Sequence, residues 1–365
     1  MKIAIHADPA AHEIPGGIGV YVRHLVDELL ASDDGNSYQL IISRTAEPPS
    51  RWSTEELIRP ALPVAQLYAA WNFTGRPKIR GEIDIVHATG LAIPPAGGKL
   101  VATIHDLAVE TMPEMVPAVW RRIYLKGLQI ALDRAKVLCA VSEATRKEVI
   151  DRHSVDPDRI IVTPEAPNLT PESIRHDQIF DRIGLTDPYL LCVGTVEPRK
   201  NQIRLVKAFA ECQGELKDWS LVIAGSPGWA QEQVADAIES LKLGHRIFLT
   251  GKVSGLELAS LYSRASVFAF PSLYEGFGLP LLEAFAFGLP SLASTTPALA
   301  ELAGSAAVLV EPSDTSGMAE ALVALATDEQ LRSRLAGEGR ERAGRYSWKA
   351  TADATRRAYE RAAQG

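Results

Sequence analysis

The chain has 365 residues, of which 46% are hydrophobic and 23% are charged, and its formal net charge is −7. This length favours two domains over one hydrophobic core, and the composition is that of a soluble globular protein. The acidic balance argues against a dedicated nucleic-acid binder, which usually presents a basic face. No apolar run approaches the roughly 18 residues that a membrane-spanning helix needs. The strand-like start MKIAIHADP is too short for a secretory signal, so we expect a cytoplasmic protein.

We expect neither a metal site nor a cofactor. The three cysteines, Cys139, Cys192 and Cys212, lie in or beside apolar segments at spacings that suit no zinc site. Buried free thiols in a reducing compartment are the simplest interpretation. Asp156-Pro157-Asp158 imitates an acidic metal-binding triplet, but these residue types favour a turn. The sequence also has no Walker motif and no serine–histidine–acid order, so it shows no apparatus for phosphoryl transfer or covalent hydrolysis.

Short apolar runs of β type alternate with helix-length segments along the whole chain. In the first half the six candidate strands are Ile3–Ala7, Tyr38–Ser43, Ile83–His87, Leu100–His105, Val137–Val141 and Ile160–Thr163. In the second half they are Tyr189–Gly194, Ser220–Ala224, Arg246–Thr250, Ser266–Phe270, Ser291–Ala293 and Ala307–Val310. Continuously apolar strands are typical of parallel sheets that helices cover on both faces. The sequence therefore predicts two Rossmann-like, doubly wound α/β domains, each with its ligand site at the carboxyl ends of its strands.

Prolines mark the boundary between the two domains. They stand at positions 164, 167, 171 and 188 and interrupt regular structure there. We place the first domain at residues 1–170 and the second at residues 171–345. A final helix at about residues 346–363 carries Tyr346, Trp348 and Tyr359, and packing back onto the first domain is one option for it.

Three glycines follow the first strand and precede an amphipathic helix near Val20–Leu30. Gly16, Gly17 and Gly19 form either a backbone loop that approaches a phosphate or sugar, or a flexible connection, and both interpretations stay open. A dinucleotide fingerprint fits less well, because its third glycine would fall on Val22.

Histidines end several strands of the first half. His105 and Asp106 close the run VATIHD at the carboxyl end of a strand, where sites on this architecture collect. Such a histidine can donate to a developing charge or hold a sugar hydroxyl, and Asp106 is expected to orient it. A satisfied core histidine is an equally good interpretation. His87 and His6 end other strands and are weaker candidates.

An Arg-Lys pair leaves the first strand of the second half. The segment GTVEPRKN, Gly194–Asn201, places Arg199 and Lys200 at a strand end, where a planar fork and a compact charge together suit a diphosphate. The alternative is two solvated charges at a helix start. Cations in a first helical turn oppose the helix dipole, which favours the functional interpretation.

The segment EGFGLPLLE, Glu275–Glu283, follows the apolar strand VFAF and a Pro-Ser turn. Its glycines allow close ligand approach, Pro280 suits the first helical position, and the free N–H groups of that turn form a phosphate site. We expect Glu275 in the loop and Glu283 in the first helical turn. Two carboxylates beside a phosphate site indicate recognition of hydroxyls on a ribose and a sugar, as in a nucleotide sugar. Glu283 alone has a simpler interpretation, since acids near a helix start complement the dipole.

A basic segment at residues 116–136 is predicted to be helical. It carries five basic residues against the single acid Asp133, with Trp120 and Tyr124 on the same stretch. The basic residues are Arg121, Arg122, Lys126, Arg134 and Lys136. Such a helix suits an anionic membrane surface, while a solvated helix face that covers the sheet is the more common case.

These residues together resemble glycosyltransferase family 4, whose members have the two-domain GT-B fold. The most specific stretch is LYSRASVFAFPSLYEGFGLPLLEAFAFGLPSLAS, Leu261–Ser294, which carries a Glu-x7-Glu arrangement at Glu275 and Glu283. The other matching stretches are VGTVEPRKN (Val193–Asn201), GGIGVY (Gly16–Tyr21), TIHDL (Thr103–Leu107) and AVSEATR (Ala140–Arg146). The resemblance spans nearly the whole chain and implies two domains that face each other across a cleft and close around the donor.

The resemblance also implies roles. Glu275 contacts the donor sugar, Glu283 contacts the ribose, and Arg199 and Lys200 neutralise the leaving diphosphate. The donor-binding residues implied beside them are Gly194, Thr195, Gly276, Phe277, Gly278 and Leu279. In the first domain, the resemblance implies that His105, with Asp106, faces the donor sugar and the acceptor. It also implies that the glycines at 16, 17 and 19 line the diphosphate.

The family retains anomeric configuration and needs no metal, with front-face attack assisted by the leaving phosphate. TIHDL with GTVEPRKN resembles bacterial mannosyl and rhamnosyl transferases of surface-polysaccharide assembly, which makes GDP-mannose the leading donor and a glycan or lipid-linked sugar the expected acceptor. Two departures from the family pattern are Thr195, where many members have arginine, and Glu165-Ala166, where an Asn-Gly pair often follows the proline. The alternatives are a nucleotide-sugar epimerase or phosphorylase on the same fold, and a non-catalytic nucleotide-sugar binding protein.

Overall fold

The computed structural model describes residues 1–11, 16–52, 57–173, 179–185 and 188–365. The chain forms two compact units. The first unit contains residues 1–165 together with residues 347–365, and the second contains residues 166–346. The expected limits, 1–170 and 171–345, differ from these in residues 166–170 and 346, which belong to the second unit. The final helix belongs to the first unit.

The first unit is built on a parallel sheet of seven strands. They are β1 (Lys2–His6), β2 (Ser37–Ile41), β3 (Leu57–Ile58), β4 (Ile85–Ala88), β5 (Lys99–Ile104), β6 (Val137–Ala140) and β7 (Ile160–Val162). Their order across the sheet is β3-β2-β1-β4-β5-β6-β7. All six expected strands are present. The edge strand β3 was not expected, because a two-residue, half-buried strand has no apolar run for a sequence pattern to reveal.

Helices connect these strands and cover the sheet. They are α1 (Gly17–Leu30), α2 (Val64–Thr74), α3 (Ala108–Thr111), α4 (Ala118–Arg134), α5 (Glu143–His153) and, at the end of the chain, α14 (Trp348–Gln364). The terminal helix α14 packs against α1 and against the strands β5 and β6. Its first residue, Trp348, stacks on His24 of α1 with ring centroids 4.6 Å apart.

The second unit is built on a parallel sheet of six strands, all of them expected. They are β8 (Tyr189–Val193), β9 (Ser220–Ala224), β10 (Ile247–Gly251), β11 (Val267–Phe270), β12 (Ser291–Ser294) and β13 (Ala307–Val310). Their order is β10-β9-β8-β11-β12-β13. Every residue of β8 and of β11 is buried, so these strands need helices on both faces.

The helices of the second unit supply that cover. They are α6 (Ile179–Ile183), α7 (Gln202–Glu211), α8 (Gln231–Ser240), α9 (Gly255–Arg264), α10 (Leu279–Ala286), α11 (Pro297–Ala303), α12 (Thr315–Thr327) and α13 (Glu329–Ala343). Local sequence sets several starts, as at α9, where Ser254 and Glu257 form a reciprocal capping box. Within the described residues, no helix is long and apolar enough to cross a membrane.

Both sheets reverse their winding direction beside their first strand. The reversal falls between β1 and β4 in the first unit and between β8 and β11 in the second. In doubly wound sheets, ligands bind at the carboxyl ends of the two strands that flank this switch point. The fold therefore points to the segments that follow β1 and β4, and to those that follow β8 and β11.

Candidate functional site

A cluster of charged side chains occupies the switch point of the second unit. Glu197, Arg199 and Lys200 follow β8, and Glu275 follows β11; we call these four residues the charge cluster. The turn after β8 is fixed by Asn201, whose left-handed backbone (φ 60°) begins α7. The Asn201 side chain donates to the carbonyls of Pro271 at 2.9 Å and Pro312 at 2.8 Å, which ties this turn to the end of β11.

Glu275 binds both cations of the charge cluster. One carboxylate oxygen lies 2.8 Å from Nη1 of Arg199 and the other lies 2.5 Å from Nζ of Lys200. Arg199 also contacts Glu197 at 2.8 Å and donates to the carbonyl of Tyr274 at 2.9 Å. The sequence separation of Arg199 and Glu275 is 76 residues, so only the packing of β8 beside β11 brings them together.

Burial and the neighbouring charges have opposite effects on the pKa values of the side chains in this cluster. Burial raises the pKa of Glu275, but the charges of Arg199 and Lys200 outweigh it and bring that pKa to about 2. Burial lowers the pKa of Lys200, and the neighbouring Glu275 opposes this. The Nζ atom of Lys200 also lies 5.1 Å from the ring centroid of Phe270. Two cations and an ionised carboxylate thus share a largely water-excluded site.

The glycine-rich loop after β11 leads into α10. Gly278 has φ +112°, and a Cβ there would lie 2.5 Å from Cδ2 of Leu299, so a side chain is excluded by both backbone and space. The helix begins at Leu279, which places Pro280 at its second position and not, as expected, at its first. The preceding Gly276 and Phe277 are buried, and the ring of Phe277 meets Tyr346 edge-on at 5.8 Å.

Glu283 lies in the second turn of α10, so the expectation of a first-turn position was wrong. Its side chain is buried and accepts a hydrogen bond of 3.0 Å from the hydroxyl of Tyr262. An acid that far into a helix, and with a specific buried partner, does more than complement the helix dipole.

Sequence reasoning missed two parts of this site. Glu197 was not singled out, although it stands two residues before Arg199 and pairs with it. The loop after β9, Gly225–Gly228, packs against the segment after β8: a Cβ on Gly225 would lie 2.1 Å from the Gly194 carbonyl. The glycine and proline punctuation of this GSPG segment was the available signal. Thr195, one of the expected donor-binding residues, lies on the segment that follows β8 and is exposed.

His105 follows β5 in the first unit, with 10% of its side chain exposed. Its Nε2 lies 2.9 Å from the carbonyl of Thr89, so this nitrogen carries the hydrogen and donates. Its Nδ1 lies 3.5 Å from the buried carboxylate of Glu165, and the ring meets Tyr21 edge-on at 4.9 Å. Both ring nitrogens therefore face acceptors of the protein.

Asp106 does not orient His105, contrary to expectation. Its carboxylate accepts the backbone N–H of Ala108 at 2.9 Å, at the start of α3. Glu165, the residue that departs from the family pattern, takes the expected position beside the histidine. The physical reason is local: an aspartate just before a helix satisfies free N–H groups of that helix.

His87 is a structural core histidine. Its Nδ1 lies 2.8 Å from the hydroxyl of Tyr359 on α14, and its Nε2 lies 2.8 Å from Oγ1 of Thr103 on β5. Burial lowers the pKa of His87 to about 3, with smaller contributions from His105 and His6. The imidazole is neutral at physiological pH and attaches the final helix to the sheet.

His6 ends β1 and contacts two aromatic side chains. Its Nε2 lies 3.4 Å from Asp8, and its ring meets the rings of Tyr68 and Trp71 edge-on at 5.1 and 5.5 Å. His6 is 1% exposed, which places it in the core below the surface of the unit.

The glycines after β1 form the start of α1. Gly16 is the residue before the helix, and Gly16, Gly17 and Ile18 are exposed, whereas Gly19 is buried. Among the residues that the structure describes, none has an atom within 4 Å of a Cβ placed on Gly16 or Gly17.

The basic segment forms helix α4. Trp120 and Tyr124 stack on each other, with centroids 5.5 Å apart, and pack against the core of the first unit. The outer face exposes Val119 and Leu125, which are 70% and 36% exposed, beside the exposed Arg122. The aromatic side chains therefore contact the core of the first unit, and the exposed face combines apolar and basic groups.

No cluster that could hold a metal ion occurs among the residues that the structure describes. Asp156 caps a short turn by accepting the N–H of Asp158 at 2.9 Å, as its residue type indicated. The three cysteines are free and buried, and burial raises the pKa values of Cys139 and Cys192 to about 12.

Two family models match consecutive parts of the chain. The model described as Glycosyltransferase Family 4 matches residues 15–169, and the model described as Glycosyl transferases group 1 matches residues 176–342. The first match contains the His105 region, and the second contains the whole charge cluster.

Curated relatives include mannosyltransferases. The chain is 30% identical over 284 residues to the O-antigen chain mannosyltransferase B of Escherichia coli, covering 76% of this chain and 74% of the relative. It is also 30% identical over 403 residues to the MMP alpha-(1->4)-mannosyltransferase of Mycolicibacterium hassiacum, covering 95% of each.

Solved structures share the fold over nearly the full length. Sucrose-phosphate synthase from Thermosynechococcus elongatus matches with a TM-score of 0.77 at 21% identity, covering 99% of this chain and 98% of that one. Solved glycosyltransferases match to a similar extent. The GT-B fold class that the sequence predicts is confirmed.

Proposed function

The chain belongs to glycosyltransferase family 4, and we propose that it moves a mannosyl residue from GDP-mannose to a glycan or lipid-linked acceptor, with retention of configuration and without a metal ion. The observation that carries this proposal is the pairing of Glu275 with Arg199 and Lys200 at the switch point of the second sheet.

The charge cluster suits a diphosphate leaving group. Arg199 and Lys200 are held close together by one carboxylate, and a diphosphate brings additional negative charge to the same two cations. Fixed cations in a largely buried site stabilise charge that develops on a leaving phosphate, without reorganisation at the moment of reaction. When the diphosphate takes over the two cations, the oxygens of Glu275 become available as acceptors for sugar hydroxyls.

The loop and helix beside the cluster suit the rest of a nucleotide. At the start of α10, Pro280 has no N–H and the N–H groups of Leu281 and Leu282 donate to the Gly278 carbonyl, so the N–H of Leu279 is the proposed donor to a phosphate oxygen. Gly278 allows a ligand to approach closely. Glu283 is the proposed ribose ligand, with Tyr262 fixing one of its oxygens. Gly194 and Thr195 contribute the segment that follows β8.

The first unit contributes His105 and the exposed start of α1. Because both ring nitrogens of His105 face protein acceptors, a sugar hydroxyl reaches this ring only by replacing the Thr89 carbonyl or Glu165. We propose that His105 faces the donor sugar and the acceptor, and that Gly16 and Gly17 line the diphosphate. Asp106 supports the start of α3 in this proposal and has no catalytic part.

The donor and the acceptor are proposed from the relatives. Both relatives described above carry the name mannosyltransferase, and one of them is named for the O-antigen chain. The metal-free mechanism is proposed because the paired cations supply the charge neutralisation that a divalent ion provides in other transferases. Peripheral membrane contact through α4 stays a prediction, which sedimentation with anionic vesicles would test.

The first experiment is a thermal-shift panel of nucleotide sugars in the presence of a chelator. We expect GDP-mannose to stabilise the protein by about 2–3 kcal/mol at about 100 times its dissociation constant. A response only to UDP- or dTDP-sugars would contradict the donor but keep the transferase mechanism. Absence of any response would contradict nucleotide-sugar binding altogether.

A second measurement separates transfer from the other uses of a nucleotide sugar. The bound donor is incubated with mannose-containing acceptors, and the anomeric configuration of the product is read by NMR. A product of retained configuration supports the proposal. Epimerised donor without any acceptor would identify an epimerase, and a sugar phosphate formed on addition of inorganic phosphate would identify a phosphorylase. Unchanged donor under all these conditions would favour a binding protein.

A further inference from the structure

One tryptophan of the second unit is exposed to solvent. Trp229 follows β9 and is 52% exposed, whereas the other five tryptophans are buried or half-buried. Those five are Trp52, Trp71, Trp120, Trp219 and Trp348. Removal of an indole ring from water lowers the free energy, so a surface tryptophan beside a candidate site is a candidate for contact with a ligand.

The backbone on either side of Trp229 is fixed to the segment that follows β8. The N–H of Ala230 donates to the carbonyl of Val196 at 3.2 Å, and the N–H of Val196 donates to the carbonyl of Ser226 at 3.1 Å. A Cβ on Gly228 would lie only 2.3 Å from the same Val196 carbonyl. Only glycine permits this close contact, and the contact holds residue 229 beside Val196.

Val196 directly precedes the charge cluster. The next residue along the chain is Glu197, and the cations Arg199 and Lys200 complete the turn. In the sheet, β9 lies on one side of β8 and β11, which carries Glu275, lies on the other. Trp229 therefore lies at the same carboxyl edge as the proposed diphosphate site, on the side away from the residue proposed to bind the sugar.

We propose that Trp229 stacks on the nucleobase of the donor nucleotide. This inference rests on the proposed function, since it assumes that the charge cluster binds a nucleoside diphosphate. Every base presents a π-face, and stacking on an aromatic side chain contributes to affinity without fixing which base is bound. Stacking thus supplies affinity for the base, while other groups in the site determine the choice between guanine and uracil.

The test compares two substitutions by calorimetric titration with GDP, UDP and inorganic pyrophosphate. Trp229→Leu keeps an apolar side chain but removes the π-face, and it should weaken binding of the preferred nucleoside diphosphate by about 10- to 100-fold. Trp229→Phe keeps an aromatic face and should restore most of that affinity. Pyrophosphate has no base, so its affinity should change less than about twofold, since no stacking contact is lost.

Fluorescence gives an independent measurement. Stacking on a base should quench the emission of Trp229, and the quench should be absent in both variants although Trp229→Phe still binds. The matched control is Phe73→Leu, which removes the ring of another exposed aromatic residue (57% exposed) in the first unit. This variant should bind and quench as the wild type does.

The outcomes separate this inference from the proposed function. If the wild-type protein binds neither GDP nor UDP, the proposed function fails first. If the wild type binds a nucleotide and Trp229→Leu binds it equally well, stacking is overturned while the nucleotide site stands. Equal losses in the Leu and Phe variants, or a matching loss of pyrophosphate affinity, would mean that Trp229 only supports the loop, and would also overturn the inference.

Discussion

The first six strands of each unit share one order, to which the first unit adds β7, but the two units place different chemistry at the switch points of their sheets. The second unit gathers Arg199, Lys200 and Glu275, whose charges are fixed near neutral pH by mutual pairing. The first unit places His6 and His87 on the strands that flank its switch point, and His105 directly after the next strand, β5. The comparison shows that the doubly wound topology determines where a site lies, while the side chains at the strand ends determine what it can do.

The two arrangements also differ in their response to acid. The pKa of Glu275 is depressed to about 2, so its stabilising contribution is complete above its unfolded value of 4.5 and is lost as the pH falls towards 2. The pKa of His87 is depressed from 6.5 to about 3, so the folded state excludes a proton that the unfolded chain binds below pH 6.5. The first unit therefore begins to lose stability at a higher pH than the charge cluster does.

Glu275→Ala should have the largest effect. The substitution leaves Arg199 and Lys200 without their shared carboxylate and should destabilise the protein by about 3–5 kcal/mol, the cost of breaking a buried pair. Turnover should fall by at least about a hundredfold, since a contact to the reacting sugar is lost as well. Urea unfolding and a transfer assay with GDP-mannose measure the two effects.

The controls for Glu275 separate charge from shape. Glu275→Gln keeps the size of the side chain and should recover part of the stability but not the turnover. Glu215→Ala removes an exposed acid of the same unit and should change neither quantity. Wild-type turnover in Glu275→Ala would contradict the assignment of the sugar ligand.

Lys200→Ala should reduce turnover by at least about a hundredfold, because a cation that stabilises the leaving phosphate is removed. Arg199 still pairs with Glu275 in this variant, so the fold should be retained. Single-turnover kinetics with saturating donor isolate the chemical step. Lys217→Ala, an exposed lysine in the same unit, is the control, and a near-normal rate in well-folded Lys200→Ala would rule out the leaving-group role.

His87→Gln should flatten the pH dependence of stability in the first unit. In the wild type, this histidine alone should lower the free energy of unfolding by about 2 kcal/mol between about pH 8 and pH 5. Glutamine does not titrate, so this part of the slope should disappear. Urea unfolding followed by tryptophan fluorescence is suitable, because four of the six tryptophans lie in the first unit. An unchanged slope would show that His87 titrates normally.

Tyr359→Phe should affect the stability of the first unit alone. It removes the hydroxyl that pairs with Nδ1 of His87 and should cost about 1–3 kcal/mol, the penalty for an unpaired buried polar group. Thermal unfolding measures the loss, with Tyr124→Phe, a half-buried tyrosine on α4, as the control. Equal losses in both variants would mean that the hydrogen bond to α14 contributes nothing specific.

Most of the fold follows from local sequence patterns. Twelve of the thirteen strands have apolar runs that predict them, because a strand buried on both faces must be apolar throughout. The exception, β3, obtains its pairing from β2 and not from its own composition. Arg199, Lys200 and Glu275 were singled out from the same pattern, since the first two stand at the end of one apolar run and Glu275 after another, whereas Glu197 was not singled out.

Details of the site depended on contacts that no local pattern contains. Asp106 stands next to His105 in the sequence, yet the helix that follows takes its carboxylate, and Glu165 faces the ring instead. Glu283 follows a helix start that lies one residue earlier than Pro280 indicated. Adjacency in sequence is thus a weak guide to partnership, because each side chain binds the nearest unsatisfied group in space.

The sequence by itself determined that this protein has two doubly wound sheets and that its charged motifs stand at strand ends. The physical reason is that a buried strand must be apolar, so each strand is visible as a short apolar run in the sequence. Tertiary structure alone decided which strands are neighbours, and therefore that Arg199 meets Glu275 across 76 residues and that Trp229 is held beside Val196. These pairings depend on how the helices and strands pack against each other in layers. That packing is stabilised by the whole core and not by any one segment.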